Sequence, residues 1–383
     1  MKAPRRALLY DAVGVAMFVY SRLVFDLRVF WEGEFRLDEG TLLVCSHRSD
    51  HDVPIICGSL YVPGNVWRHR RTRPWFAVRD DLFLRGFFAG YPPRLSPRAR
   101  RLLYPLGVAR PLLRNQCLPI RSPQKLRLAE LLRAEPGLEL SHALPETKLA
   151  ELRRRAEELA LPEPRLARNV LRGEFADLLW TVHDRKSISA PELEQVWHER
   201  RRTATQDFHA LADVLARGET LLLFPEGRPS PDGAIGPLQP GVTALVRRGS
   251  PRWLQPVALA YDPLTAGRTR AYLRFAPRVE PPSEHVEERV LELLRRTTPL
   301  TPGQLVAAGR DADPEVEEEV EAARAAGRPF EPRLVDPEGR RRLLDEARAA
   351  AERAAPETLA RLAREHASAR ESVERVEQAA EAV

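Results

Sequence analysis

His47, Asp50, His51 and Asp52 fall within six consecutive residues, directly after the apolar run Leu42-Leu43-Val44-Cys45. A histidine that takes a proton near neutral pH needs a fixed tautomer, and so an acceptor on its other ring nitrogen. Asp52, five residues after His47, supplies that acceptor if the chain turns from strand to helix between them. Asp50 and His51 compete for the role. Two other readings of the segment stand beside this one. It can be a polar strand-to-helix turn in which Asp52 caps the helix. It can also be a nitrogen and oxygen ligand set for a divalent ion, a metal-dependent hydrolase in which His47, Asp50, His51 and Asp52 bind the metal and Glu226 completes the site.

The elements that must present these residues are two buried strands. In open α/β sheets the ligand crevice lies beyond the carboxyl ends of the strands. Leu42 to Cys45 reads as one such strand and Thr220 to Phe224 as another, the latter ending in Pro225-Glu226-Gly227-Arg228-Pro229-Ser230. Two strand ends of this kind can face one crevice although 179 positions separate His47 from Glu226. Leu27–Trp31, Trp75–Val78, Trp253–Tyr261 and Thr269–Phe275 are the other strand candidates, and helices are expected from Pro54 and over 241–248.

The segment His47-Arg48-Ser49-Asp50-His51-Asp52 resembles the His-x-x-x-x-Asp motif of the glycerol-3-phosphate and lysophosphatidate acyltransferase family. Phe224-Pro225-Glu226-Gly227, followed by Ser230, Asp232-Gly233 and Gly236-Pro237, resembles that family's glutamate-glycine motif. Cys117-Leu118-Pro119-Ile120-Arg121 resembles its second block and Gln255-Pro256-Val257-Ala258-Leu259 its fourth. The resemblance covers residues 25–121 and 205–280. It implies an α/β fold with a central mixed β-sheet flanked by helices, and an O-acyltransferase that moves a fatty acyl group from acyl-CoA or acyl-carrier protein to a glycerol-phosphate acceptor, lysophosphatidate first and glycerol-3-phosphate next. His47 is then the base and Asp52 its orienting partner. Arg121, Glu226, Gly227, Arg228 and Ser230 bind the acceptor, with no metal and no cofactor. The family pattern runs Glu-Gly-Thr-Arg-Ser, whereas this chain has Glu226-Gly227-Arg228-Pro229-Ser230. Proline stands where the motif's arginine is expected.

Composition adds the surroundings. The 383 residues carry a formal charge of +6, and all but four of the cations are arginine. Residues 61–121 hold thirteen arginines, two acids and nine aromatics. That mixture fits anionic lipid headgroups, single-stranded nucleic acid or plain solvation, and the neighbouring motifs favour lipid over nucleic acid. Three cysteines without a Cys-x-x-Cys spacing point to a reduced, cytosol-facing protein without a disulfide framework. Residues 1–26 read as an amphipathic helix in the membrane interface, with Arg5, Arg6 and Arg22 at the headgroups and Phe18, Val19 and Leu23 beneath them, or as a helix packed on the protein's own core. The expected organisation is that helix, an acyltransferase domain over 27–124 and 205–280, a helical insertion over 125–204, and a charged helical extension over 281–383 that carries a weak heptad at 359–376. The expected location is the cytoplasmic face of the cell membrane, peripheral or monotopic.

Overall fold

An apolar run without alternation needs cover on both faces, and Thr41–Cys45 has it: all five residues are buried. The computed structural model describes residues 7–32, 40–61, 73–90, 95–184, 193–229, 235–262 and 268–299. Its strands are β1 (Asp26–Trp31), β2 (Thr41–Cys45), β3 (Trp75–Arg79), β4 (Cys117–Ile120), β5 (Lys125–Arg127), β6 (Val182–Asp184), β7 (Leu221–Leu223), β8 (Trp253–Asp262) and β9 (Arg270–Phe275). The chain divides into two compact units, one made of 1–75 with 212–383 and the other of 76–211. The interval 125–204 lies inside the second unit.

In the first unit the strands run in the order β1-β9-β8-β2-β7. β2 is parallel to both of its neighbours, with Cys45 level with Val257 of β8 and Val44 level with Leu223 of β7. β1 is parallel to β9, while β8 and β9 are antiparallel. The sheet is therefore mixed, and the fold is α/β with helices flanking it. Because β2, β7 and β8 point the same way, their carboxyl ends open on the same edge of the sheet. The residues after Cys45 and after Leu223 emerge there together.

Two helices open this unit, α1 (Ala7–Val24) and α2 (Asp52–Tyr61). Glycines let them touch closely. A Cβ on Gly58 would lie 2.7 Å from the Phe18 backbone, and one on Gly14 would lie 2.5 Å from the Tyr61 ring. Thus one side of α1 packs on α2. The other side is exposed and apolar, with Leu9, Ala12, Ala16, Val19 and Leu23 at alternating three- and four-residue spacing. The helix thus packs on the protein along one side and leaves an apolar stripe uncovered along the other. Phe18, expected beneath the headgroups, is half-buried. Among the described residues no helix is long and apolar enough to cross a membrane. Helices Gly241–Gly249 and Val286–Thr297 bury Val242, Leu245, Val246 and Val286, Val290, Leu294, the stripe an amphipathic helix lays on a core.

The second unit holds the parallel pair β3–β4 and the antiparallel pair β5–β6. A separate core gathers Leu131, Leu132, Leu149, Leu152, Phe175 and Trp197. Buried cations brace it. Arg200 pairs with Asp80 at 2.6 Å and Glu130 at 3.1 Å, and Arg100 donates to the Ala89 carbonyl at 2.6 Å. Leu149, Leu152 and Ala156 are buried as their spacing predicts, on a helix spanning Glu146–Glu158. The heptad at 359–376 lies outside the described residues.

Candidate active site

β2 delivers its last residue, Cys45, to the sheet edge, and Ser46 is stitched to β8 by two bonds. Its N–H donates to the Val257 carbonyl at 2.9 Å, and its hydroxyl accepts the Leu259 N–H at 3.0 Å. The next residue is His47, buried, with its ring centroid 4.4 Å from that of Phe224 just past β7. α2 then begins at Asp52. The Asp52 carboxylate reaches backward rather than into its own helix: Oδ2 accepts the Arg48 N–H at 2.5 Å, the Ser49 N–H at 2.9 Å and the His47 Nδ1 hydrogen at 2.8 Å. An N-cap would accept amides from the residues that follow it. Asp52 instead holds the loop and the imidazole.

An aspartate at Nδ1 makes that nitrogen the protonated one and leaves Nε2 as the basic site. Nε2 has no hydrogen-bond partner among the described residues. His51 is turned away: its Nδ1 meets the Tyr20 hydroxyl at 2.7 Å, and its ring stands edge-on to Phe25. Asp50 is exposed. The four residues of the metal-hydrolase reading are therefore not gathered around one point. Among the described residues no group of three or more His, Cys, Asp or Glu side chains has the geometry to hold a metal ion.

Glu226 is buried, and each of its oxygens takes a backbone amide. Oε1 accepts the His47 N–H at 2.8 Å and Oε2 the Gly236 N–H at 3.0 Å. The pairing expected from the two strand ends is thus present, and Glu226 grips the main chain of the histidine. Burial lifts its carboxyl above the ordinary carboxylate range, opposed by the Arg48 charge and by the two amides. Gly227 turns the chain with φ +72°, and a side chain there would press on Gln239 at 3.1 Å. Only glycine meets both conditions without strain. Arg228 is exposed, and Ser230 lies outside the described residues. In the second unit, one Arg121 nitrogen donates to both Asp207 oxygens at 2.7 and 2.6 Å.

One contact was not foreseen in the sequence. The Tyr261 hydroxyl donates to Asp52 Oδ1 at 2.6 Å from 209 residues away. Its phenol is pushed far above its usual range, first by burial and then by the neighbouring Asp52 charge. The signal lies in the register. With Cys45 opposite Val257, Tyr261 sits four residues beyond the end of β2, alongside the histidine loop. Only the strand pairing reveals that position.

No family model and no curated protein matches this chain. Among solved structures it is similar to the 1-acyl-sn-glycerophosphate (LPA) acyltransferase PlsC from Thermotoga maritima. The TM-score is 0.37 at 13% identity, covering 75% of this chain and 76% of that one. So distant a likeness adds no argument to the residues themselves.

Proposed function

We propose that the first unit is an O-acyltransferase in which His47 is the general base. The observation that carries this reading is the His47–Asp52 pair at the strand end, with Nδ1 held at 2.8 Å and Nε2 left to work. Nε2 removes the proton from an acceptor hydroxyl as the oxygen attacks the thioester carbonyl, and Asp52 stabilises the imidazolium that forms. Collapse of the tetrahedral intermediate breaks the carbon–sulfur bond. The imidazolium returns its proton to the departing sulfur, leaving an ester and a free thiol. A thioester already has a good leaving group, so direct transfer needs no enzyme nucleophile. Glu226 positions the base by holding the His47 amide, and Gly227 lets the backbone come close to the acceptor.

The donor is acyl-CoA or acyl-carrier protein. The acceptor is lysophosphatidate, with glycerol-3-phosphate next, bound by Arg228 and Ser230 as the family resemblance implies, while Arg121 is committed to Asp207 within the second unit. The chain works at the cytoplasmic face of the cell membrane as a peripheral or monotopic protein. Support for a lipid partner comes from the uncovered stripe of α1, where Leu23 is 68% exposed. A helix with such a face rests in the interface of an anionic bilayer. The test is thiol release from acyl-CoA against a panel of acceptors. The reading expects release that depends on a lysophospholipid or glycerol-phosphate acceptor, and release that ignores the acceptor would contradict it.

A further inference from the structure

Residues 82–129 contain nine arginines, one lysine and no acidic residue. The second unit uses some of these cations internally: Arg100 bonds the Ala89 and Leu95 carbonyls, Arg121 pairs with Asp207, and Arg127 pairs with Asp81. Others point outward from two short helices, Pro97–Leu103 and Ala109–Arg114. Arg98, Arg101, Arg110 and Arg114 are exposed. Among the described residues Arg98, Arg110 and Arg114 have no ion-pair partner, and Arg101 comes no nearer than 3.9 Å to Glu174.

Leucines stand among them. Leu102 is 76% exposed, and Leu106 and Leu113 are 50% exposed. Arg98, Arg101 and Leu102 share one side of the first helix by their spacing, as Arg110, Leu113 and Arg114 share one side of the second. The inner side of the first helix is already committed, because Arg100 is buried there and bonds the Ala89 and Leu95 carbonyls. The second helix buries none of its residues. Single exposed leucines are ordinary, but three within twelve residues, set among unpaired guanidinium groups, mark a surface that meets something apolar behind a layer of negative charge.

We infer that the outward sides of these two helices dock on an anionic lipid bilayer, with Leu102, Leu106 and Leu113 entering below the headgroups and Arg98, Arg101, Arg110 and Arg114 meeting the lipid phosphates. Guanidinium grips phosphate with paired hydrogen bonds, and its apolar stem lies comfortably at the interface. Protruding leucines suit a fluid layer, whereas a protein partner would have to offer a socket for each. The surface belongs to the second unit. It is independent of the α1 stripe and of the acyl-transfer reading.

The test measures binding of the full chain to vesicles of phosphatidylcholine with and without phosphatidylglycerol, across a salt series. Alongside the wild type are the triple variants Arg98→Gln/Arg110→Gln/Arg114→Gln and Leu102→Ser/Leu106→Ser/Leu113→Ser, with Val19→Ser/Leu23→Ser on α1 as the separate comparison. The wild type should prefer anionic vesicles and release steeply with salt, a result that needs no variant. The arginine variant should bind anionic vesicles about a hundredfold more weakly and show a shallower salt dependence, and the leucine variant should also weaken. Equal binding to neutral and anionic vesicles overturns the inference, as does a loss confined to the α1 variant. Tighter binding to a single-stranded oligonucleotide than to anionic vesicles also overturns it and assigns the surface to nucleic acid. Vesicle binding of the expected kind without acceptor-dependent thiol release would sink acyl transfer and leave this surface standing, and the reverse result would sink the surface alone.

Discussion

At the scale of single residues the account turns on four donors converging on one carboxylate. Asp52 accepts from the His47 ring, the Arg48 and Ser49 amides and the Tyr261 hydroxyl. Asp52→Asn offers an amide that cannot hold the same tautomer. It should lower acceptor-dependent turnover about 10²- to 10⁴-fold with the fold intact, as read by steady-state kinetics and near-ultraviolet dichroism. Tyr261→Phe leaves Oδ1 without its donor, which should cost about 1–3 kcal/mol in denaturant unfolding. An unfolding free energy equal to that of the wild type would mean that Oδ1 does not depend on this donor. For Glu226, burial raises the carboxyl's affinity for a proton in the folded state. Its contribution to stability is therefore greatest below its unfolded value and declines as pH rises through the elevated folded one. Glu226→Gln cannot titrate, so the melting temperature of the wild type relative to this variant should fall as the pH rises above the ordinary glutamate range. The His47–Asp52 spacing made that pair legible in the sequence. Tyr261 was illegible, because nothing local ties a strand residue to a loop 209 positions away until β8 is set beside β2.

At the scale of elements, β2 and α2 do the positioning, and the sequence showed both for physical reasons. A parallel strand buried on both faces reads as an unbroken apolar run, and a proline in the first turn suits the start of a helix. What it did not show is how α2 is held. The α1–α2 contact depends on Gly58, where a Cβ would come within 2.7 Å of the Phe18 backbone. Backbone cannot swing aside as a side-chain tip can. Gly58→Ala should therefore destabilise the protein by about 1–3 kcal/mol in thermal or denaturant unfolding, despite alanine's better helix propensity. A stability equal to or above that of the wild type would mean that the helices do not approach so closely.

At the scale of the whole molecule, the chain pairs a unit that carries the candidate base with a second unit that has its own core. Leucine spacing made the helices within 125–204 visible, but not the antiparallel β5–β6 pair that the same interval also holds. The reach of the second unit back to residue 76 was not visible either, because ion pairs such as Arg200 with Asp80 join residues 120 positions apart and leave no periodic trace. The arginine excess was plain in the composition. Only exposure separates the cations that brace a core, such as Arg100 and Arg200, from those that face outward, such as Arg98 and Arg114. Everything functional rests on His47 acting as a base through Nε2. The most direct measurement is the rate of thiol release from acyl-CoA, in the presence of lysophosphatidate, by His47→Ala shown to be folded by its unfolding transition. The account predicts a rate near background while the wild type turns over, and release by the variant at the wild-type rate would contradict it.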